Sequence, residues 1–557
     1  MKIQVSRVLT IQHATTVVHN NHSENALRAV DATSNSSVQN AGYVSALRLF
    51  QKVSGLPVTG KLDKVTRQAM NKPRCGVPDQ QSKYTGPGPQ VHGRSSSNEN
   101  DTGNQTENTK ASVSGQSTTP PPSPLGRHEK TMASNHLYRF RRARKTELVT
   151  GRVSGMAYAK KKLKWRLMHE GYSTQLTVEE QRVTLKLAFR LWSEVAPIDF
   201  EEDLRAPASD IDIKLGFGTG RHFGCSQVFD GAGQELAHAW QHGDIHFDDD
   251  EHFTTALMSQ GISLLKVAVH EIGHVLGLPH IYHTESVMHP NYFPVGNTLE
   301  LGTADRKAIQ KLYGVCEGPF DTVFDWERRE RNLQGQLVVQ FNTFFFRKSW
   351  YWLYENKHNR TRYGDPTAIS FGWHGLPSDG IDAVLQISST SEEATYFFKG
   401  TQYWRYDSEN GRAYTEDPQG YKYPRRISQG FPGVLGPIDA AFFDRRTQYI
   451  YFFHDQMVTA FNVNLSQKVN GFPKKIIDVF PPAVPGDHPV GNLDAVYYSL
   501  THEAIFFLKG VYFWKVVGAN DRLSNPNLLY NSLLSKRRVA EQWFDICDVH
   551  VSMLAKE

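Results

Sequence analysis

The sequence predicts a multidomain protein with a helical N-terminal region, an α+β domain and a C-terminal four-bladed β-propeller. Three observations carry this prediction: a length of 557 residues, a polar stretch in the first third of the chain and an aromatic repeat towards its end. A single hydrophobic core stops growing at about 250–300 residues, so a chain of this length should divide into domains. We place their boundaries at 1–79, 80–144, 145–315 and 316–557.

The composition is that of an ordinary globular protein, with 39% apolar and 21% charged residues. The net charge of +5 is small for the length and is spread along the chain, so no nucleic-acid partner is expected. No apolar run reaches about 18 residues, so no membrane span is predicted.

Residues 42–72 carry apolar side chains at helical spacing on either side of a turn, which predicts a small helical unit. Residues 80–136 are instead rich in Ser, Thr, Gly, Asn and Pro. Such a segment cannot bury enough surface to offset its ordering entropy, so we predict a disordered linker over 80–144.

The linker ends in a basic run that contains R-x-R-R and R-x-x-R patterns. Solvated surface is the ordinary interpretation of such a run. Here it marks a boundary between polar and globular sequence, where proteases cut most easily. The patterns resemble the sites of furin-like convertases, so we expect such a convertase as a partner that cuts after Arg142 or Arg144.

The segment from about residue 160 to 315 mixes helix and strand patterns. Residues 210–217 and 244–248 read as short strands, and 261–277 as a long helix. Another helix is predicted over 177–195, where Thr177 and Glu180 form a capping box and apolar residues recur at helical spacing: Val183, Leu187, Phe189 and Trp192.

The last part of the chain repeats an aspartate followed by a block of aromatic residues. The aspartates recur every 55 to 61 residues, at Asp321, Asp382, Asp439 and Asp494. Aromatic strand units with such a period predict a four-bladed propeller. Cys316 precedes the first unit and Cys547 ends the last, so a disulfide between them would fasten the last blade to the first.

The string HEIGHVLGLPH, residues 270–280, has the spacing of a zinc site. On a helix, His270 and His274 lie one turn apart on the same face, so both imidazoles can reach one metal. Gly277 lets the chain turn back, and His280 then supplies a third ligand. Three protein ligands leave a position for water, which is typical of catalytic zinc.

Glu271 follows the first ligand and can take a proton from a zinc-bound water that attacks a scissile carbonyl, as general base and then general acid. The later string SVMHP matches the Met-turn of metzincins, and Met288 is expected to form an apolar floor beneath the metal. Three unrelated surface histidines are the alternative, but the extended motif is far rarer than H-E-x-x-H alone.

Residues 73–79 read PRCGVPD. Together with the zinc motif, this string resembles the matrix metalloproteinases, and the resemblance covers nearly the whole chain. It implies a peptidoglycan-binding-like prodomain, a metzincin catalytic domain and a hemopexin-like propeller. It also implies a zinc-dependent endopeptidase made as a zymogen, in which the Cys75 thiolate fills the fourth zinc position. The substrates would be extracellular-matrix, cell-surface or secreted proteins.

The resemblance implies further cation sites. A second, structural zinc would be held by His222, His238 and His246, but the aspartate expected two residues after the first histidine is absent, and Cys225 follows one residue later. Cys225 is a plausible replacement; a free thiol beside a weakened site, or no second zinc, are the alternatives. A calcium site, or else a solvated acidic turn, is expected from Asp230, Gly231, Gly233, Glu235, Asp248 and Glu251.

By the same resemblance, Leu236 and Ala237 lie on the strand that pairs with substrate, and Pro290 and Tyr292 wall the S1′ pocket. Lys266 stands where most relatives place an apolar residue in that pocket. Our hypothesis is a short or cationic pocket that disfavours long apolar P1′ side chains. Alternatively, the lysine reaches out to solvent.

A secreted, extracellular-matrix location is inferred from the body of the chain, because the first twenty residues lack the apolar core of a signal peptide. Glycosylation sequons support that location, among them Asn104, Asn359 and Asn464. Partners implied by the resemblance are protein substrates and proteinaceous metalloproteinase inhibitors. The alternative function is a secreted hemopexin-domain binding protein with weak or no catalytic activity.

Overall fold

The computed structural model describes residues 41–77, 157–240, 243–255, 260–293, 299–331, 334–388 and 393–554. The linker 80–144, with the processing residues Arg142 and Arg144 and the sequon Asn104, lies outside these ranges. None of the helices in the described ranges is long and apolar enough to cross a membrane.

The described part of the N-terminal region, residues 41–77, contains two helices, α1 Ala41–Val53 and α2 Lys64–Met70. They pack through a small core whose members include Leu47, Phe50 and Met70. The buried amide of Gln51 fixes the loop between them, because it donates to Thr59, Lys61 and Thr66 and accepts from the backbone N–H of Gly60. The predicted helical unit is thus confirmed.

The α+β domain is built on a five-stranded sheet of order β2-β1-β3-β5-β4, in which only the edge strand β4 is antiparallel to its neighbour. A short parallel pair, β6 and β7, precedes the second long helix. The elements are β1 Lys162–Leu167, α3 Val178–Ser193, β2 Asp199–Glu202, β3 Ile213–Gly218, β4 Ala237–Ala239, β5 Ile245–Asp248, β6 Phe253–Thr254, β7 Ile262–Ser263, α4 Leu264–Val275 and α5 Thr303–Tyr313.

Helix α3 begins at the predicted capping box, in which Thr177 and Glu180 bond each other reciprocally. Its buried face was only partly predicted. Phe189 and Trp192 are buried, but Val183 and Leu187 are exposed by 54% and 43%. These two lie four residues apart along a different stripe of the helix, so their apolar spacing is real but faces solvent.

The C-terminal region is a four-bladed propeller, as predicted. Its inner strands β8, β13, β18 and β23 contact one another in a ring. Its strands are β8 Thr322–Arg331, β9 Leu337–Arg347, β10 Trp350–Glu355, β11 Arg360–Thr361, β12 Thr367–Ala368, β13 Ala383–Ser388, β14 Glu393–Lys399, β15 Gln402–Asp407, β16 Arg412–Ala413, β17 Arg425–Arg426, β18 Ala440–Asp444, β19 Tyr449–His454, β20 Met457–Asn462, β21 Gln467–Lys468, β22 Lys474–Lys475, β23 Ala495–Ser499, β24 Ala504–Lys509, β25 Tyr512–Lys515 and β26 Arg537–Arg538. Its helices are α6 Ile369–Gly372, α7 Ile427–Gly430, α8 Ile476–Val479 and α9 Ala519–Ser524.

The repeated aspartates have a local structural role. Each carboxylate accepts the backbone N–H of a residue in the turn between the second and third strands of its blade. The same residue type therefore recurs because each blade needs the same turn. The four turn residues that donate are Lys348, Gly400, Asp455 and Gly510.

The end of the propeller returns to the α+β domain. A disulfide joins Cys316 to Cys547, whose Cα atoms lie 5.1 Å apart. Beyond it, Val549, Met553 and Leu554 are buried in the core of the α+β domain, and the turn that carries Met553 contacts α3 and β2. The described C-terminal residues therefore complete a core that belongs to another domain.

Candidate metal and peptidase site

Helix α4 carries the predicted zinc motif. Ser263 caps its start by accepting the N–H of Lys266, and the helix ends just before Gly277, whose positive φ of 98° turns the chain back. This turn brings the ring of His280 to 5.3 Å from that of His270 and 4.6 Å from that of His274, measured between ring centroids. The motif thus folds into one cluster of three imidazoles.

Cys75 joins this cluster from the N-terminal region. The candidate ligand atoms of Cys75, His270, His274 and His280 all lie within 4.8 Å of one another. The Nδ1 atoms of His270 and His274 donate to the carbonyls of Val287 and Leu278, at 2.7 and 2.8 Å. Both rings therefore turn Nε2 inward, where the two Nε2 atoms are 3.0 Å apart.

Glu271 is buried beside this cluster, and the thiol of Cys75 donates a hydrogen bond to its carboxylate. Burial raises the pKa of Glu271 to about 8, and the bond from Cys75 opposes that rise. A positive charge in the cluster would also oppose the rise and lower the pKa of Glu271. Within the described residues, Oε2 of Glu271 has no hydrogen-bond partner, so one carboxylate oxygen remains available to a proton.

Met288 lies beneath the helix, as the Met-turn motif predicts. It is fully buried, and a Cβ added to Gly273 would stand only 2.3 Å from its sulfur atom, so the residue between the two helical ligands must be small. The turn itself is anchored to α5, because buried Asp305 accepts the hydroxyl of Ser286 and the N–H of Val287.

The segment around Cys75 lies in the cleft as an extra strand. Its Gly76 N–H donates to the Ala237 carbonyl of the edge strand at 2.9 Å, and its Arg74 N–H donates to the carbonyl of Gln234, just before that strand, at 2.7 Å. It also bonds the opposite wall, through Cys75 N–H to the Pro290 carbonyl and Tyr292 N–H to the Pro73 carbonyl, at 3.0 and 2.8 Å. Main-chain groups on both walls of the cleft are thus occupied.

The three predicted S1′ residues line one small cavity of about 30 Å³, together with Cys75 and Glu271. Within it, Nζ of Lys266 donates to the carbonyl of Phe293 at 2.5 Å and lies 5.4 Å from the centre of the Tyr292 ring. Burial lowers the pKa of Lys266. The lysine therefore bonds the cavity wall and does not extend into solvent.

A second cluster forms where β4, β5 and the loop after β3 meet. His238 and His246 are direct cross-strand partners. Phe223 and Gly224 have positive φ angles, and this turn brings Cys225 back towards His222. The four candidate ligand atoms lie within 4.8 Å of one another, with His222 Nε2 3.2 Å from His238 Nε2.

The electrostatics of this second cluster favour neutral imidazoles. Burial and the neighbouring histidines lower the pKa values of His238 and His246 to about 3. Neutral imidazole is the form that binds zinc. The sulfur of Cys225 is 3.6 Å from His238 Nε2, in the place expected of a fourth ligand.

The predicted calcium residues come together in part. The N–H of Gly233 donates to Glu251 at 2.5 Å, and burial raises the pKa of the fully buried Asp248 to about 7. Within the described residues, Oδ2 of Asp248 has no hydrogen-bond partner, which fits a missing cation. The carboxylate of Glu235, however, points to the second cluster, so only its backbone carbonyl could serve this loop.

The comparisons with known proteins agree with this architecture. The Matrixin family pattern matches residues 157–314, the Hemopexin pattern matches 381–434 and 438–481, and a putative peptidoglycan binding domain matches 29–70. Matrix metalloproteinase-21 of Xenopus laevis is 54% identical over 92% of this chain and 83% of its own length. The chain belongs to the matrix metalloproteinase family.

Further relatives support this assignment. Matrix metalloproteinase-21 of Homo sapiens is 50% identical over 92% of this chain and 85% of its own length, and Stromelysin-1 of Equus caballus is 30% identical over 79% and 78%. As a member of this family the chain is a metalloendopeptidase, and zinc dependence follows from the matrixin fold.

Two side chains near the sites were not predicted from the sequence. Gln227 donates its backbone N–H to the sulfur of Cys225 at 3.3 Å and its side-chain amide to the Gly76 carbonyl at 3.2 Å. The carboxylate of Glu235 accepts from His238 Nδ1 at 2.6 Å and from that same amide at 2.9 Å. No motif marks either role, and the bond from Gln227 to Gly76 joins residues that are 151 positions apart.

Proposed function

We propose that this metalloendopeptidase is made as a cysteine-switch zymogen and hydrolyses peptide bonds in extracellular-matrix, cell-surface or secreted proteins. The observation that carries the proposal is the meeting of Cys75, His270, His274 and His280 beside the buried carboxylate of Glu271. Three ligands belong to one domain and the fourth to another, which fits a site that can be opened.

The residues of this cluster fit a zinc ion. Because both helical histidines donate from Nδ1 to backbone carbonyls, their inward Nε2 atoms carry lone pairs and face each other at 3.0 Å. Lone pairs at that separation repel, whereas a cation between them would be bound by both. Second bonds of this kind also fix the tautomer and ring orientation of a zinc ligand.

A zinc ion in this cluster supplies Lewis acidity, which lowers the pKa of water and polarises a peptide carbonyl. Glu271 then accepts a proton at its free carboxylate oxygen and returns it to the leaving amine. The edge strand β4 and the wall at 290–292 orient an extended peptide by main-chain hydrogen bonds. Met288 and the apolar residues around α4 exclude water from beneath the cluster.

Latency follows from the position of the segment 73–76. It uses backbone groups on both walls of the cleft that an extended substrate would need. The sulfur of Cys75 also lies beside Glu271, the proposed base. We propose that cleavage by a furin-like convertase after Arg142 or Arg144 allows this segment to leave.

We also propose a second zinc held by His222, His238, His246 and Cys225, in a closed structural site. Thiolate and imidazole ligands suit such a site. A calcium ion at the loop of Asp230, Gly231 and Gly233 is supported by the buried carboxylates Asp248 and Glu251 and by the backbone carbonyl of Glu235.

The remaining expectations become proposals on the same basis. Asn359 and Asn464 are exposed on the propeller, which is compatible with glycosylation of a secreted, extracellular-matrix protein. Proteinaceous metalloproteinase inhibitors are expected to compete for the cleft once it is open. The domain boundaries at 79, 144 and 315 remain our proposal for dividing the chain.

Hydrolysis of a quenched peptide by convertase-processed protein tests the proposal. We expect turnover that a chelator abolishes and that zinc restores. The exposed Glu179→Gln is the control for a glutamate substitution away from the cluster, and it should behave as wild type. Absence of turnover in correctly processed, zinc-loaded protein would favour the alternative, a propeller-based binding protein without catalytic activity.

A further inference from the structure

The segment that carries Cys75 also contacts Glu235 and Gln227, two residues that bond the second cluster. A Cβ added to Gly76 would stand 2.1 Å from Oε1 of Glu235 and 2.9 Å from Nε2 of Gln227. Gly76 therefore lies directly on these two side chains, and a Cβ at this position would require them to move. Gly76 belongs to the N-terminal region, whereas Glu235 and Gln227 belong to the α+β domain.

Both residues also bond the second cluster, Glu235 through its side chain and Gln227 through its backbone. Glu235 accepts the Nδ1–H of His238, so Nε2 of that ring is left to face the cluster. Gln227 donates its backbone N–H to the sulfur of Cys225. A carboxylate behind a histidine ligand fixes its tautomer and raises its basicity, and its loss typically weakens metal binding about 10- to 100-fold.

We propose that Glu235 is a positioning residue shared by the two clusters, so that metal in the second cluster strengthens the hold on the Cys75 segment. The proposal rests on the proposed second zinc. Metal binding at His238 orders the ring and, through it, the carboxylate that Gly76 packs against. Coupling between two sites is reciprocal, so release of the Cys75 segment should also weaken metal binding in the second cluster.

The strand pairing gives this coupling a short route. Gly76 bonds the Ala237 carbonyl, and His238 follows on the same strand. A displacement of β4 on metal loss would therefore move both the main-chain bond and the carboxylate contact.

The test uses the full-length precursor and two readouts that do not depend on peptidase activity. The first is the rate at which iodoacetamide alkylates Cys75, followed on its own peptide by mass spectrometry. The second is the rate at which a chelator removes zinc from the second cluster. Glu235→Gln should raise both rates about tenfold, within the range of typical site-to-site coupling. Glu179→Gln is the matched control and should change neither.

A double-mutant cycle separates coupling from a simple contact. His246→Ala removes a second-cluster ligand that does not touch Gly76, and it should also speed alkylation of Cys75. In that background, Glu235→Gln should add little. If the two effects multiply, Glu235 acts independently of the metal and the proposal is overturned.

The zinc content of the wild-type precursor distinguishes the possible failures. One zinc per chain would refute the second site and, with it, the coupling. Two zincs with unchanged Cys75 alkylation in both variants would leave the second site standing and refute the coupling alone.

Discussion

The part of the chain that the structure describes contains two clusters of three histidines and one cysteine, and they differ in the origin of the cysteine. Cys225 follows His222 by three residues, within the loop that builds its own cluster. Cys75 comes from the N-terminal helical region and reaches its cluster only through the strand-like segment 73–76. A thiol held by the domain itself stays in place, whereas a thiol held by a separate segment can be removed.

The burial of the two cysteines follows the same difference. Cys75 is buried, because the segment lies over the helix that carries the zinc motif, while Cys225 is partly exposed at a loop. A carboxylate lies beside each cluster: Glu271 faces the first, and Glu235 bonds a histidine of the second. Similar ligand sets therefore fit the opposite roles that we propose, one site that opens for chemistry and one that stays closed.

The largest expected effect concerns Glu271, the carboxylate beside the first cluster. Glu271→Gln should lower kcat/KM by about 10²- to 10⁴-fold, the typical contribution of a general acid-base group. Zinc content should be unchanged, since Glu271 is not a ligand in our proposal. Peptide hydrolysis and metal analysis of the processed variant measure this. Turnover close to that of wild type would remove Glu271 from the mechanism.

The two cysteines give the next largest contrast. In a precursor protected by Arg142→Ala and Arg144→Ala, Cys75→Ser should raise peptidase activity at least about tenfold, because a hydroxyl is a poorer zinc ligand than a thiolate. Cys225→Ser in the same precursor should produce a smaller rise. An intact Cys75→Ser precursor that remains as latent as its parent would show that the thiol does not close the site.

Removal of the second metal should lower stability without removing the catalytic residues. With zinc at about a thousand times its Kd, a site that binds only the folded chain stabilises it by about 4 kcal/mol. His246→Ala should therefore lower the free energy of unfolding by roughly this amount. Denaturant unfolding with and without zinc measures it. A variant whose stability matches wild type at all zinc concentrations would contradict a structural site.

The smallest expected effect is on the selectivity for the P1′ side chain of the substrate, which we assign to the cavity lined by Lys266, Pro290 and Tyr292. Lys266→Leu removes the amine that bonds the Phe293 carbonyl and makes the wall apolar. We expect the preference for a long apolar P1′ side chain to rise about tenfold, as is typical for a modest change in an apolar pocket. A peptide library varied only at P1′ measures this. An unchanged profile would mean that Lys266 does not limit the pocket.

Much of the architecture could be predicted from the sequence, because it is encoded in local spacing. The H-E-x-x-H-x-x-G-x-x-H string fixes which imidazoles face together, and the period of the aspartates predicted four blades. The carboxylates of the repeat proved to bond turn N–H groups, a contact that each blade makes within itself.

What could not be predicted depends on contacts between distant segments. The burial of Val549, Met553 and Leu554 in the α+β core has no sequence signature, because their partners lie some three hundred residues earlier. The bond from the side-chain amide of Gln227 to the Gly76 carbonyl has no sequence signature either, because the two residues are 151 positions apart. The apolar spacing predicted helix α3, but helical spacing alone does not say which of its two apolar stripes is buried.

Sulfur coordination of zinc, measured by X-ray absorption before and after convertase cleavage, tests the difference between the two clusters most directly. The account predicts two zinc ions per precursor with one sulfur ligand each. After cleavage, the average should fall to one sulfur for every two zinc ions, because only Cys225 remains bound. An unchanged sulfur coordination in processed, active protein would contradict a removable Cys75.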